Sequence, residues 1–402
     1  MRHVPNQVVR GDDFFDRSDL TERVFALART GSVLLHGPRR MGKTSLLRKV
    51  QDLAIDQGYS TVAYVDVEDA RTELDFLHEL HRSLPDAAKG SVWNRLVAGP
   101  LKRFLKGTEV EGLGIRVAFA DTAPDAWREV GAEWMGAMRA SKGRTLILLD
   151  ELSVFLFHGF LNHGNEGRER AHTFLSWLRR HWQADGGAGE PITWIFSGSI
   201  GLPMLFDRYR LGDTLGGLSL VEVPAFERSV ARDFVARLLR ANNVDLQAGP
   251  DIVEQIIGRI GWMCPQHLQH FVCVLSDTVR TRHLADRTVQ RGDIDAAWES
   301  MLSAASRPAF DWWSQRLDEE MDAATAALAR DLLHACAPAA DGAPLDALLA
   351  LVAADQPARQ RGAEVRSLLD VLEHDGYLVH EQSRYRFRSN VLREYWQRRH
   401  AR

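Results

Sequence analysis

The run Gly37-Pro-Arg-Arg-Met-Gly-Lys-Thr44 fits the pattern G-x-x-x-x-G-K-[ST] in full. Glycines at its ends let a backbone wrap an anion with N–H groups turned inward, and a following helix start adds partial positive charge. The pattern assigns Gly37, Pro38, Arg39, Arg40, Met41, Gly42, Lys43, Thr44 and Ser45 to nucleotide binding. Lys43 would reach the β- and γ-phosphates of ATP, and the Thr44 hydroxyl would bind Mg²⁺. A chance Gly-rich turn is the alternative; the setting between an apolar run ending at His36 and a helix over 45–57 argues against it.

A second chemical signal is Arg144-Thr-Leu-Ile-Leu-Leu-Asp150-Glu151, an apolar strand ending in two acids, the Walker B form. A carboxylate at a buried strand end is costly unless it meets a cation, so Asp150 is the second candidate Mg²⁺ ligand. Glu151 is the candidate base for an attacking water; a helix-capping Asp-Glu pair is the competing reading. Thr193-Trp-Ile-Phe-Ser197-Gly198-Ser199 is another apolar strand, and Ser197 or Ser199 could touch a γ-phosphate or equally end the strand in a turn. Arg208 and Arg210 follow, where an arginine, Arg210 in particular, could stabilise transferred charge on a neighbouring subunit or simply be solvated. Gly261-Trp-Met-Cys-Pro265 is either a tight turn facing the nucleotide or an interhelical turn. Cys264, His267, His270 and Cys273 recur every third residue, but on an α-helix such steps spread four side chains around the axis, so they cannot converge on one metal ion.

These residues need a scaffold, and the apolar pattern supplies one. Short apolar runs at 32–36, 61–67, 145–149 and 193–197 alternate with helical stretches, the pattern of a parallel sheet covered by helices. From about Pro224 helical periodicity takes over, at 229–241, 251–260 and 265–278. A helix over 362–374 ends in the turn signal Asp375-Gly376, followed by alternating runs at 377–380 and 384–388 around Glu381–Ser383. Three helices and a hairpin predict a winged helix-turn-helix, closed by a last helix over 391–399.

Composition sets the outer limits. The chain has 402 residues, 45% hydrophobic and 26% charged, which excludes disordered and fibrous classes and allows two to four domains. The balance of 50 Lys and Arg against 54 Asp and Glu argues against coating nucleic acid by bulk electrostatics but leaves room for a local basic patch. Three scattered cysteines give no disulfide framework, and no segment is apolar enough for a leader or a membrane span, so a cytoplasmic protein is expected. The basic patch lies at the end: Arg384, Arg386, Arg388, Arg393, Arg398, Arg399 and Arg402 face the single acid Glu394. A spacing of two puts Arg384, Arg386 and Arg388 on one face of a strand, with Tyr385 and Phe387 inward, where they could grip the phosphates of DNA. The preceding helix carries Arg359, Arg361 and Arg366 against Glu364, Asp370, Glu373 and Asp375, a poor charge balance for entering a groove, so protein–protein or intramolecular docking ranks slightly above DNA binding.

Phe15-Asp-Arg17-Ser-Asp-Leu20, the phosphate-loop box from Leu35 to Leu46, Leu149-Asp-Glu151, Phe196-Ser-Gly-Ser-Ile200 and Phe387-Arg-Ser-Asn-Val-Leu-Arg-Glu-Tyr-Trp396 together resemble the archaeal-type ATPase family. That family is a STAND branch of the P-loop NTPases, similar in core to AAA+ and origin-recognition proteins. The resemblance implies an α/β P-loop core with a parallel five-stranded sheet in the order 5-1-4-3-2, a helical lid and a winged helix. The corresponding division is 1–225, 226–302 and 303–402. It also implies a place for Arg17 near the adenine and a sensor role for Ser197 or Ser199. The lid motif departs from the family's Gly-Gly-x-Pro, and Gln266 stands where an arginine is usual. Lys43 and Asp150 are 107 positions apart, which implies inserted helices such as one over 125–139. The function implied is an ATP-hydrolysing switch controlling conformation or assembly with a protein partner or further copies, as in signalling or defence. The alternatives are a DNA-binding initiator-like or transposition-like ATPase and a scaffold that binds nucleotide without hydrolysing it.

Overall fold

The computed structural model describes residues 7–86, 88–89, 126–140, 142–184, 191–198, 205–206, 208–244, 250–282, 287–303, 308–351 and 358–400. Ser199, Ile200 and Arg402 lie outside the described residues, as do the side chains of Arg359 and Arg361. Two compact units are present: residues 17–36 with 43–222, and residues 1–16 and 37–42 with 223–402.

The first unit carries α1 (Ser18–Ala28), β1 (Ser32–His36), α2 (Lys43–Leu53), β2 (Tyr59–Asp66), α3 (Glu73–Arg82), α4 (Ala126–Arg139), β3 (Arg144–Asp150), α5 (Leu152–Gly159), α6 (Gly164–Ala184), β4 (Ile192–Phe196) and β5 (Leu218–Glu222). Its five strands are all parallel, in the order β2-β3-β4-β1-β5, which read from the other edge is the expected 5-1-4-3-2. Strands covered on both faces need apolar residues at every position, and β4 is buried throughout. β5 escapes that pattern because it is an edge strand: Leu220 is half exposed, and the run was not singled out by hydrophobicity. The inserted helix α4 packs Trp127 against Phe174 and Trp177, part of an aromatic cluster with Phe76, Phe155 and Phe160. Gly131 permits that approach, since a Cβ there would lie 2.4 Å from the Trp177 ring.

The second unit carries α7 (Arg228–Ala241), α8 (Pro250–Ile260), α9 (Pro265–Arg282), α10 (Arg291–Met301), α11 (Pro308–Glu320), α12 (Ala323–Cys336), β6 (Ala343–Pro344), α13 (Leu345–Leu349), α14 (Ala358–His374), β7 (Leu378–Glu381), β8 (Arg384–Phe387) and α15 (Asn390–His400). β6, β8 and β7 form an antiparallel sheet in that spatial order. The β7–β8 connection is two residues, Gln382 and Ser383, at φ of 50° and 64°. Positive φ at both central positions gives the twist that suits a tight hairpin.

Within this unit the helices of 226–302 and the C-terminal elements are bonded together. The Trp298 indole N–H donates to Glu394 at 2.9 Å, and the Asn390 amide donates to the Arg259 carbonyl at 3.0 Å. His267 is fully buried, its Nδ1 3.1 Å from the Ser389 hydroxyl. Burial, with help from His270 and Arg40, holds its pKa down at about 3. Gly261, at φ of 76°, leaves room for Asn390, whose amide a Cβ would approach to 2.8 Å. The Gly261–Pro265 stretch is therefore a turn between helices α8 and α9 that receives the C-terminal helix.

Candidate functional site

From β1 the chain enters the loop 37–42 and then α2. Gly37 and Gly42 adopt φ of 132° and 89°, and Arg40, without glycine's freedom, adopts 65°. Positive φ at three of the six loop residues gives the tight backbone turns that a phosphate-wrapping loop needs. Gly37 has a second requirement, since a Cβ there would fall 2.8 Å from the Val223 carbonyl oxygen. Met41 is buried; the Arg40 guanidinium lies 4.7 Å from the Trp312 ring centre, and the Cys264 thiol points at the Arg40 carbonyl oxygen from 3.8 Å. Pro38, Arg39 and Gly42 are half-buried.

At the start of α2, Lys43 and Ser45 are buried and Thr44 half-buried. Asp150, at the carboxyl end of β3, is only 2% exposed. The Glu151 backbone N–H donates to its Oδ1 at 3.1 Å and the Tyr64 hydroxyl to its Oδ2 at 2.8 Å. Burial pushes the Asp150 pKa up, and the Glu151 charge pushes it further; hydrogen bonding from Tyr64, Thr44 and Ser197 acts in the opposite sense. Asp66, paired in register with Asp150, is also raised, by burial first and then by Glu151 and Asp69 against the Glu68 backbone N–H and Arg48. Three carboxylates thus crowd one pair of strand ends, and the donors that steady Asp150 include the Glu151 backbone N–H and the Tyr64 and Thr44 hydroxyls. That arrangement fits a divalent cation held by Asp150 and Thr44.

Glu151 sits at φ 58°, ψ 31° and is the N-cap of α5, yet its side chain makes no capping hydrogen bond. A left-handed glutamate costs roughly 1 kcal/mol or more, and the capping reading of the Asp-Glu pair does not account for it. Ser197 is buried; its N–H donates to the Leu149 carbonyl at 2.8 Å and its carbonyl accepts from the Leu152 N–H at 3.1 Å, which fixes the ends of β3 and β4 together. Its hydroxyl is among those that act to lower the Asp150 pKa. Gly198 is needed because a Cβ there would lie 2.3 Å from the Ser153 hydroxyl.

Other assigned residues are placed differently. Arg17 is buried at the N-terminus of α1, where its carbonyl accepts from Thr21. Arg208 and Arg210 are exposed, Arg210 at φ of 56°. The hairpin arginines stand beside acids: Arg384 by Asp341 at 3.1 Å, Arg386 by Glu381 at 2.7 Å and Arg388 by Glu373 at 4.0 Å. Tyr64, Asp66 and Arg48 were not picked out from the sequence, although β2 ends in an acid just as β3 does.

The described chain resembles, over nearly its whole length, a Walker-type ATPase of Pyrococcus abyssi, with a TM-score of 0.60 and 18% identity over 96% of this chain and 97% of that one. It shares the fold of a Walker-type ATPase. An ORC2 protein of Aeropyrum pernix, solved as ADPNP–ADP complexes, aligns with a TM-score of 0.53 and 12% identity over 98% of each chain. No protein-family model matches the chain, and no curated protein matches it. Among the described residues no helix is long and apolar enough to cross a membrane.

Proposed function

We propose that this chain binds ATP with Mg²⁺ and hydrolyses it, its nucleotide state switching its conformation or its assembly with a protein partner. The observation that carries the reading is Asp150 with Glu151: a buried strand-end carboxylate faced by the Thr44 hydroxyl, followed by a glutamate held in the left-handed conformation. The backbone N–H groups of residues 37–42 and the Lys43 ammonium would hold the β- and γ-phosphates, with Ser45 at the same helix start. Mg²⁺ held by Thr44 and Asp150 would neutralise charge on those phosphates. Glu151 would take the proton of a water attacking the γ-phosphorus, the bond to the β,γ-bridging oxygen breaking as ADP leaves. Ser197 would orient that water or a γ-phosphate oxygen, and Arg17 would lie at the base.

Within the second unit we assign 226–302 as the lid and 303–402 as the winged helix. Arg210, exposed, is the arginine we assign to a neighbouring subunit's site. The DNA-clamp alternative rests on Arg384, Arg386 and Arg388, and each has an acid beside it, so docking to protein is the reading we favour. A cytoplasmic location fits a nucleotide-driven switch.

Glu151→Gln tests the core of the proposal. Phosphate release under single-turnover conditions should fall about 10²- to 10⁴-fold while ATP binding stays within about twofold of the unsubstituted chain. Unchanged phosphate release would remove Glu151 as the base.

A further inference from the structure

β2 and β3 run side by side in register, with Tyr64 opposite Leu148 and Asp66 opposite Asp150. From two residues before the end of its strand, Tyr64 reaches along the sheet and donates its hydroxyl proton to Asp150 Oδ2 at 2.8 Å. The Glu151 N–H holds the other oxygen at 3.1 Å. With both oxygens engaged, the plane of the carboxylate is fixed. Tyr64 is itself clamped: the Arg48 guanidinium lies 3.1 Å from its ring centre. Arg48 comes from α2, the helix that begins with Lys43 and Thr44, and its Nη1 donates to Gln51 at 3.0 Å. A phenylalanine would fill the same space and still receive Arg48; what the hydroxyl adds is the orientation of one carboxylate oxygen.

We propose that Tyr64, clamped by Arg48, is a positioning residue for the divalent cation held by Asp150 and Thr44. It links the helix bearing Thr44 to the strand end bearing Asp150 in the way that outer hydrogen bonds orient the ligands of metal sites. This inference rests on the nucleotide and Mg²⁺ reading of the same site.

The test uses the full chain and binding of mant-ATP, followed by fluorescence anisotropy across a Mg²⁺ titration and in EDTA. Tyr64→Phe should raise the Mg²⁺ concentration at half-effect about 10- to 100-fold while leaving mant-ATP affinity in EDTA within about twofold. Arg48→Lys, at a half-buried helix position that keeps the charge and loses the flat contact, should move the same midpoint in the same direction by a smaller factor. In an Asp150→Asn background, Tyr64→Phe should add nothing further. An unshifted Mg²⁺ midpoint in both single variants would overturn the inference while leaving the function standing. An equal loss of affinity in EDTA and in Mg²⁺ would also overturn it, because Tyr64 would then serve only the packing of the loop helix. If the unsubstituted chain bound mant-ATP identically with and without Mg²⁺, the cation reading of Asp150 would fall, and Tyr64's role with it.

Discussion

Two charged regions of this molecule are built on opposite principles. At the ends of β2 and β3, burial and the Glu151 charge raise the cost of ionising Asp66 and Asp150, and hydroxyl groups steady Asp150. Along the C-terminal segment, Arg384, Arg386, Arg388, Arg398 and Arg399 each have an acid within ion-pair distance: Asp341, Glu381, Glu373, Glu299 and Asp311. The first region gathers carboxylates at two neighbouring strand ends; the second sets an acid beside each of these five arginines. The count of arginines in the segment is therefore a poor guide to what it binds, whereas crowded carboxylates are where the cation we propose would add charge.

The strongest way to break this contrast lies in the second unit. Arg316 and Asp375, 2% and 6% exposed, pair at 3.4 Å between α11 and the turn after α14. If pairing there is structural, Arg316→Met should destabilise that unit by about 3–5 kcal/mol in urea unfolding, because Asp375 would stay buried without its partner. A loss below about 1 kcal/mol would mean that these pairs are incidental and that the C-terminal charges are free for other work.

The contrast also shows which parts of the molecule were open to sequence reading. The phosphate loop was legible because its requirements are local: glycine where φ is left-handed, a strand before and a helix after. β1, β3 and β4 were legible because strands covered on both faces are apolar throughout. β5 was not, since an edge strand with Leu220 half exposed has no such run. Asp150 and Glu151 announced themselves at a strand end, but the Tyr64 hydroxyl that orients Asp150 comes from 86 residues away. No local pattern pairs those two. The same limit applies to the arginines, since Asp341 lies 43 positions before Arg384 and Glu299 lies 99 before Arg398. Alternation put Tyr385 and Phe387 inward, as they are, but could not show which acids would meet the outward face.

Buried groups of the second unit that carry no charge sharpen the comparison by pH. His267 is neutral when folded, its pKa held at about 3 by burial against an ordinary 6.5. A depressed histidine pKa means the unfolded chain binds the proton first. Its contribution is complete above pH 6.5 and is lost as pH falls toward 3. Between pH 7 and pH 5 this one residue should remove about 2 kcal/mol of stability. In His267→Gln the loss over the same interval should shrink by about that amount in urea titrations at the two pH values. An unchanged interval would show that His267 takes up its proton without unfolding.

The smallest effect belongs to the hairpin arginines and decides the rival function. If Arg384, Arg386 and Arg388 gripped DNA phosphates, replacing all three by Ala would flatten the slope of log affinity against log salt by about 2.7, roughly 0.9 per phosphate contact. Because each stands beside an acid and is about one-third exposed, the pairs should contribute no more than about 1 kcal/mol apiece to stability. The guanidiniums have little uncompensated charge to offer a polyanion. The triple variant should therefore fold with nearly the same urea midpoint, and in filter binding to duplex DNA at 50–200 mM salt its slope should differ from the unsubstituted chain by less than about 1. A drop near 2.7 would mean that DNA displaces Asp341, Glu381 and Glu373 from their partners. The C-terminal pairs would then be a store of basic charge released on binding, and both charged regions would be ligand sites.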